Sequence, residues 1–245
     1  MTDIHTHILP RMDDGAKSSD MSLEMLKLER DMGVDRVFLT SHFYPYEESL
    51  DSYIARRDAA YARLEQRLAE LPEEERAGFP VMIRGAEVAW YPGIEERSDL
   101  ERLTLGDSGA ILVEMPYFMD WYSGMFGSLF LIKERTGLEV ILAHPERFYH
   151  YQKSVFVEEL LVLGLPEQIS SASLTGDRRT AKRALAQIRE GKVDYIASDC
   201  HNTTSRRPDL PEAYKVIEDK LGSRTAEKLK AKADALWKQA AGSLD

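Results

Sequence analysis

The chain has 245 residues, 43% hydrophobic and 30% charged, a globular balance that excludes disordered, collagen-like and coiled-coil chains and suits one large domain. Its formal net charge of −10 argues against a nucleic-acid backbone or an anionic membrane as the main partner. A single cysteine, Cys200, rules out a disulfide framework and a cysteine-rich zinc site.

Taken in chain order, a first strand is predicted over 2–7, with no basic stretch and apolar run of a leader before it. No apolar run approaches the roughly twenty residues of a membrane span, so the chain reads as soluble and cytoplasmic, without membrane insertion. Side chains alternate along a strand, so His5 and His7 project to the same side. Asp13 and Asp14 precede Gly15, the signature of a turn and helix cap, and a helix follows over 18–32. The second strand, 36–40, runs into His42, and a long helix covers 49–71. The charged stretch 71–76 reads as a surface connection rather than a domain boundary. The third strand, 81–86, runs into Glu87, and the fourth, 110–115, carries Glu114 after Ile111-Leu112-Val113. A helix over 122–135 follows, in which Trp121, Tyr122, Phe126 and Phe130 read as core rather than as a groove for a tyrosine ring.

The fifth strand, 140–143, leads into His144-Pro145-Glu146-Arg147 and a helix over 154–163. A strand over 168–170, a helix over 177–190 and a strand over 195–198 precede Asp199-Cys200-His201, with Arg206 close behind. Helices over 210–221 and 224–240 close the chain, the last amphipathic and packed on the domain. Strands separated by helices of ten or more residues make βα units and a parallel sheet. About seven units in one domain, 1–245, suit a (β/α) barrel better than an open doubly wound sheet.

Five of the six histidines, His5, His7, His42, His144 and His201, fall where a predicted strand ends. In such folds the carboxyl ends of the strands carry the active site. Glu87, Glu114 and Asp199 fall at the same level, and Asp14 lies in the first loop. A carboxylate ending an apolar run is costly to bury unless it is paired or binds a metal. Nine nitrogen and oxygen donors are too many for one tetrahedral ion and enough for two or three. Arg147 and Arg206 follow two of these positions, and a guanidinium matches phosphate oxygens bidentately. Metal ligands plus arginine point to phosphate-ester hydrolysis.

The motifs resemble those of the PHP-type bacterial tyrosine-protein phosphatases of capsule and exopolysaccharide biosynthesis. The likeness begins with Asp3-Ile4-His5-Thr6-His7 and Asp13-Asp14-Gly15, and continues through Thr40-Ser41-His42, Gly85-Ala86-Glu87 and Val113-Glu114-Met115-Pro116. It ends with Ala143-His144-Pro145-Glu146-Arg147, Gln168-Ile169-Ser170 and Ala197-Ser198-Asp199-Cys200-His201. The resemblance implies a distorted seven-stranded β/α barrel with a trinuclear centre supported by Mn²⁺, or by Fe, Zn or Co in its place. It implies that His5, His7, Glu87 and Asp199 hold one ion, and that Glu87 bridges to a second completed by Glu114 and His144. Asp14, His42 and His201 then hold the third, and Arg147 and Arg206 bind phosphate. The implied substrate is phosphotyrosine on the tail of a bacterial tyrosine autokinase, attacked directly by an activated water without a phosphoenzyme. Arg11 and Arg207 depart from the family's usual residues.

Rival readings share parts of this pattern. Cys200 to Arg206 fits C-x5-R, the signature of cysteine-dependent tyrosine phosphatases, but lacks the glycine of a phosphate cradle and lies within Asp199-x-His201. A buried bystander cysteine is the better reading. The same donor set also suits hydrolysis of a small phosphate ester of the histidinol-phosphate type, or a non-catalytic, metal-bound module that docks a kinase.

Overall fold

The computed structural model describes residues 1–122 and 124–242. The apolar runs form strands β1 (Thr2–Thr6), β2 (Arg36–Leu39), β3 (His42–Phe43), β4 (Val81–Arg84), β5 (Glu87–Ala89), β6 (Ala110–Glu114), β7 (Glu139–Ala143), β8 (Glu167–Ser170) and β9 (Val193–Ala197). The helices are α1 (Ser19–Asp31), α2 (Leu50–Ala69), α3 (Glu73–Arg76), α4 (Gly127–Thr136), α5 (Ser154–Val162), α6 (Ser171–Thr175), α7 (Arg178–Arg189), α8 (Leu210–Leu221) and α9 (Ser223–Ala240). Their starts follow capping chemistry. Ser18 Oγ accepts the Met21 amide at 3.2 Å, Ser49 Oγ accepts that of Ser52 at 3.2 Å, and the Asp177 carboxylate accepts those of Arg179 and Thr180. The helix expected over 122–135 begins only at Gly127, with Ser123 outside the described residues. The closing residues 243–245 of the expected domain also lie outside them.

Every ladder among the described residues is parallel, in sheets of order β1-β2-β4 and β3-β5-β6-β7-β8-β9. The described ladders form nine strands in two parallel sheets between helices, and these ladders do not close on themselves. Two expected strands break near their ends for identifiable reasons. After Leu39, the Thr40 amide bonds the Thr6 carbonyl at 2.9 Å, and pairing resumes only at His42. After Arg84, the chain passes so close to Leu105 that a Cβ on Gly85 would lie 2.7 Å from Leu105 Cδ2. Pairing resumes there at Glu87. The two sheets meet where the Asp199 amide donates to the His5 carbonyl and the His7 amide to the Cys200 carbonyl, both at 2.9 Å.

Alternation sorts the strand side chains into two buried sets. Ile4, Phe38, Ile83, Leu112 and Ile141 pack with Leu236 and Trp237 of α9, where the Phe38 and Trp237 rings meet edge-on at 5.1 Å. Val37, Leu39, Ile111, Val113, Val140 and Leu142 pack instead with apolar residues of α1, α2, α4 and α5. Because the strands run parallel, all their carboxyl ends emerge on one side, and the residues after them converge there.

Candidate metal centre

The first sheet brings His5 from β1 and His7 from the residue beyond it. His42 opens β3, Glu87 opens β5 and Glu114 closes β6. His144 follows β7, and Asp199 and His201 follow β9. Two of these residues sit in left-handed backbone, His144 at φ 32° and Asp199 at φ 53°. Such strain costs roughly 1–3 kcal/mol per residue and is characteristic of functional sites. All nine candidate donors come together. His7, Asp14, His42 and His201 form one close group, His5, His7 and Glu87 a second, and His42, Glu87 and Glu114 a third.

Glu87 lies at the middle. Its Oε2 is 3.1 Å from His5 Nε2, 3.2 Å from His7 Nε2 and 3.0 Å from His42 Nδ1, and its Oε1 is 2.8 Å from His144 Nε2. Asp199 Oδ1 is 3.6 Å from His5 Nε2 and 3.4 Å from His7 Nε2. Asp14 Oδ1 stands 3.3 Å from His201 Nε2 and 3.7 Å from His42 Nε2.

The outer nitrogens of these imidazoles explain what the inner ones offer. His5 Nδ1–H donates to Gln168 Oε1 at 2.9 Å, His7 Nδ1–H to Asp13 Oδ2 at 2.8 Å, and His201 Nδ1–H to the Asp199 carbonyl at 2.9 Å. In the neutral rings this leaves each Nε2 with a lone pair. His5 Nε2 and His7 Nε2 are nevertheless 3.0 Å apart. Two lone pairs at that distance require a proton or a cation between them. His42 Nδ1, Glu87 Oε2, Asp199 Oδ1 and His201 Nε2 are buried without a hydrogen-bond partner. A polar atom buried in that state is costly, and divalent cations satisfy this donor set.

Electrostatics agree. Burial pushes Glu87 up, yet the charges of His5 and His42 hold it well below the usual carboxylate range. Burial pushes His42 down, but Glu87 lifts it to about 9. His7 is likewise lifted against burial by Asp13. Glu114 is pushed up to about 8, first by burial and then by the charge on Glu87. His144 is pushed down to about 4 by burial and then by Arg147. Protons on His7 and His42 thus offset carboxylate charge that cations would otherwise neutralise.

Arg147 stands in the 3-10 helix Pro145–His150 and Arg206 in the loop before α8. Arg147 Nη2 donates to Asp199 Oδ2 and to Ser170 Oγ at 2.8 Å, and Arg206 Nη2 donates to the same Asp199 oxygen at 2.8 Å. Both line a cleft of about 460 Å³ over the carboxylates, walled by Tyr44, Tyr117, Phe118 and Tyr151. Arg207 turns away to pair with Glu212 at 2.6 Å, and Arg11, at φ 61°, donates to the Lys17 carbonyl.

The structure also revises the reading of several residues. Asp13 is not a helix cap, a task done by Ser18. Its carboxylate holds His7 Nδ1 and accepts the amides of Gly15 and His42, both at 2.9 Å. A Cβ on Gly15 would lie 2.2 Å from the His7 carbonyl oxygen, so only glycine lets this loop fold back onto β1. Gln168 orients His5, and Tyr117 Oη lies 3.1 Å from His144 Nδ1. Neither role has a local sequence signal. Trp121 and Phe126 are core, whereas Tyr122 and Phe130 are exposed and do not line the cleft.

Cys200 is buried, with Sγ 3.7 Å from Glu29 Oε1. Burial, and then the charges of Glu29 and Asp3, push its thiol well above the ordinary range. The loop after it spends four of its amides internally. Those of His201 and Asn202 bond the Arg206 carbonyl, and those of Thr204 and Arg206 bond Asn202 Oδ1. A cysteine-dependent phosphatase needs a thiolate and a cradle of free amides around phosphate, whereas this thiol is held protonated and four of the loop amides are already bonded.

Known proteins resemble this chain over most of its length. The model of the capsular polysaccharide synthesis family CpsB/CapC matches residues 1–235. Tyrosine-protein phosphatase YwqE of Bacillus subtilis is 31% identical, over 96% of this chain and 91% of that protein. Tyrosine-protein phosphatase CpsB of Streptococcus pneumoniae is 30% identical, over 94% of each. Among solved structures, a chain from the crystal structures of YwqE and CpsB, described as metal-dependent tyrosine phosphatases, superposes with a TM-score of 0.82. That match has 27% identity and covers 98% of this chain and 95% of the other.

Proposed function

The chain belongs to the capsular polysaccharide synthesis family CpsB/CapC, and from that premise we propose that it hydrolyses protein phosphotyrosine with the help of divalent metal ions. One observation carries the reading: inward-facing imidazole nitrogens, two of them 3.0 Å apart, surround Glu87 beside two cleft arginines. His5, His7, Glu87 and Asp199 would hold one ion. Glu87, Glu114 and His144 would hold a second, and Asp14, His42 and His201 a third. The proposed ion is Mn²⁺, and the mixed donor set also accepts Fe, Zn or Co. Bound divalent ions supply Lewis acidity, bringing the pKa of water towards neutrality and offsetting charge on phosphoryl oxygens. Arg147 and Arg206 bind two of those oxygens and stabilise the charge that grows on them. Asp199 holds both guanidiniums in place. A tyrosinate leaving group, with a pKa of about 10, needs less protonation than a serine alkoxide would.

The proposed substrate is the phosphorylated tail of a tyrosine autokinase that controls capsule or exopolysaccharide synthesis. A cytoplasmic location suits this substrate, and among the described residues no helix is long and apolar enough to cross a membrane. The two sheets are read as a distorted seven-stranded barrel in one domain spanning 1–245. This reading is supported by the short gaps between β2 and β3 and between β4 and β5, and by the Thr6–Cys200 bridge between the sheets.

The test is turnover of phosphotyrosine and phosphoserine peptides by Mn²⁺-supplemented protein. The expected result is a phosphotyrosine preference of about a hundredfold or more, reflecting the better leaving group. Cys200→Ser is expected to stay within about twofold of wild type, because the thiol faces Glu29. Equal turnover of both peptides, or loss of activity in Cys200→Ser without loss of fold, would overturn the reading.

Loading should also compete with protons. His42, lifted to about 9, carries a proton at neutral pH in the metal-free chain. Apparent Mn²⁺ affinity should therefore rise with pH up to about pH 9, by up to about tenfold per unit for each proton displaced. Competition with a chelating dye between pH 6 and pH 10 measures this directly. A flat profile would contradict the assignment of His42.

A further inference from the structure

We propose that an apolar groove beside the metal cleft binds the polypeptide flanking the phosphotyrosine and selects an apolar, preferably aromatic, side chain within two residues of it. The inference rests on the phosphatase reading and adds the feature of the substrate chain that is recognised. The groove, of about 580 Å³, is lined by Tyr46, Trp90, Tyr91 and Met119 and adjoins the cleft. Tyr44, Glu114, Tyr117 and Phe118 line both. A phosphotyrosine seated over the carboxylates therefore leads its own backbone into the groove, because an extended chain advances about 3.3 Å per residue.

Three features define the occupant. First, the rim carries apolar surface that folding leaves uncovered, with Phe118 95% and Tyr46 72% exposed. Clustered exposed aromatics beside a cleft mark a surface that something covers. Second, the walls are held in place before anything binds. The Tyr44 ring stacks on His42 with centroids 4.9 Å apart, and Trp90 Nε1–H donates to Ser128 Oγ at 2.8 Å. Rigid aromatic walls bury a partner ring at low entropic cost. Third, among the described residues the only charged side chains lining the groove are Glu47 and Glu114, while Arg147 and Arg206 line the cleft and not the groove. An acidic flank would meet Glu47 there and no cation among the lining side chains, whereas an aromatic one gains burial without opposition.

A small phosphate ester fills the cleft and leaves the groove untouched, which makes the inference testable apart from the chemistry. Three phosphotyrosine peptides, identical except for Phe, Ala or Glu at two positions on each side, are compared with p-nitrophenyl phosphate. Wild type is expected to show kcat/KM about tenfold higher for the Phe peptide than for the Ala peptide, with the Glu peptide lowest. Tyr46→Ala and Met119→Ala should bring the Phe peptide to within about threefold of the Ala peptide. Both variants should leave p-nitrophenyl phosphate turnover unchanged, and Tyr46→Phe should restore the preference. Equal kcat/KM for all three peptides in wild type, or a Phe preference that survives both alanine variants, would overturn the groove assignment. Turnover of p-nitrophenyl phosphate with no phosphotyrosine peptide cleaved would instead overturn the phosphatase reading itself, and the groove's role with it.

Discussion

Glu87→Gln is expected to lower kcat/KM for a phosphotyrosine peptide by on the order of a thousandfold and to cut bound metal in the same preparation. The size of the effect follows from position. One Glu87 oxygen faces His5, His7 and His42 within 3.2 Å, and the other faces His144 at 2.8 Å. Among the described residues, no other carboxylate in the centre approaches four imidazoles this closely. Glutamine keeps the shape but replaces one oxygen with an N–H donor group and removes the charge that offsets cations. Elemental analysis of the dialysed protein, read beside the kinetics, checks both parts. Chelation of wild type should abolish turnover in the same way, and added Mn²⁺ should restore it. A Glu87→Gln protein that kept full metal content and full activity would remove Glu87 from the centre. Circular dichroism separates that loss from unfolding.

Arg147→Ala is expected to behave differently. Turnover of the phosphotyrosine peptide should fall by about a hundredfold to a thousandfold, with metal content retained, because the lost group stabilises phosphoryl charge rather than a cation. Arg147→Lys should recover only part of the loss, since an ammonium cannot present two parallel donors. Arg147 and Arg206 share the same Asp199 oxygen, so the double variant should lose less than the product of the two single losses. A kcat within threefold of wild type for Arg147→Ala would show that the cleft binds phosphate without it.

How much of this was legible in the sequence depended on the range over which each residue acts. The elements were readable because their signals are local. The run 110–115 becomes β6, the pattern over 18–32 becomes α1, and the pattern over 210–221 coincides with α8. The candidate ligands were readable for a related reason. A histidine or carboxylate placed just after an apolar run must lie at the carboxyl edge of a parallel sheet, and parallel strands bring all such edges to one side.

What stayed hidden were relations across the chain. Asp13 and Asp14 are adjacent and chemically identical, yet one orients His7 and the other faces His201 and His42. Only the fold of the loop over β1, made possible by Gly15, decides which does which. Gln168 meets His5 across 163 positions of sequence. Cys200 and Arg206 have the spacing of a thiol phosphatase, but the backbone turns Sγ towards Glu29 and spends four of the loop amides internally.

By itself, then, the sequence determined the alternation of strands and helices, the parallel sense of the sheets, and the gathering of nine donors and two arginines at one edge. These follow from hydrophobic periodicity and side-chain chemistry, which act over a few residues. Tertiary structure alone decided where the ladders break, which nitrogen of each histidine points inward, which acids support and which would coordinate, and that an aromatic groove adjoins the cleft. Those outcomes depend on distances between residues far apart in the chain, and packing sets such distances only once the whole core has formed.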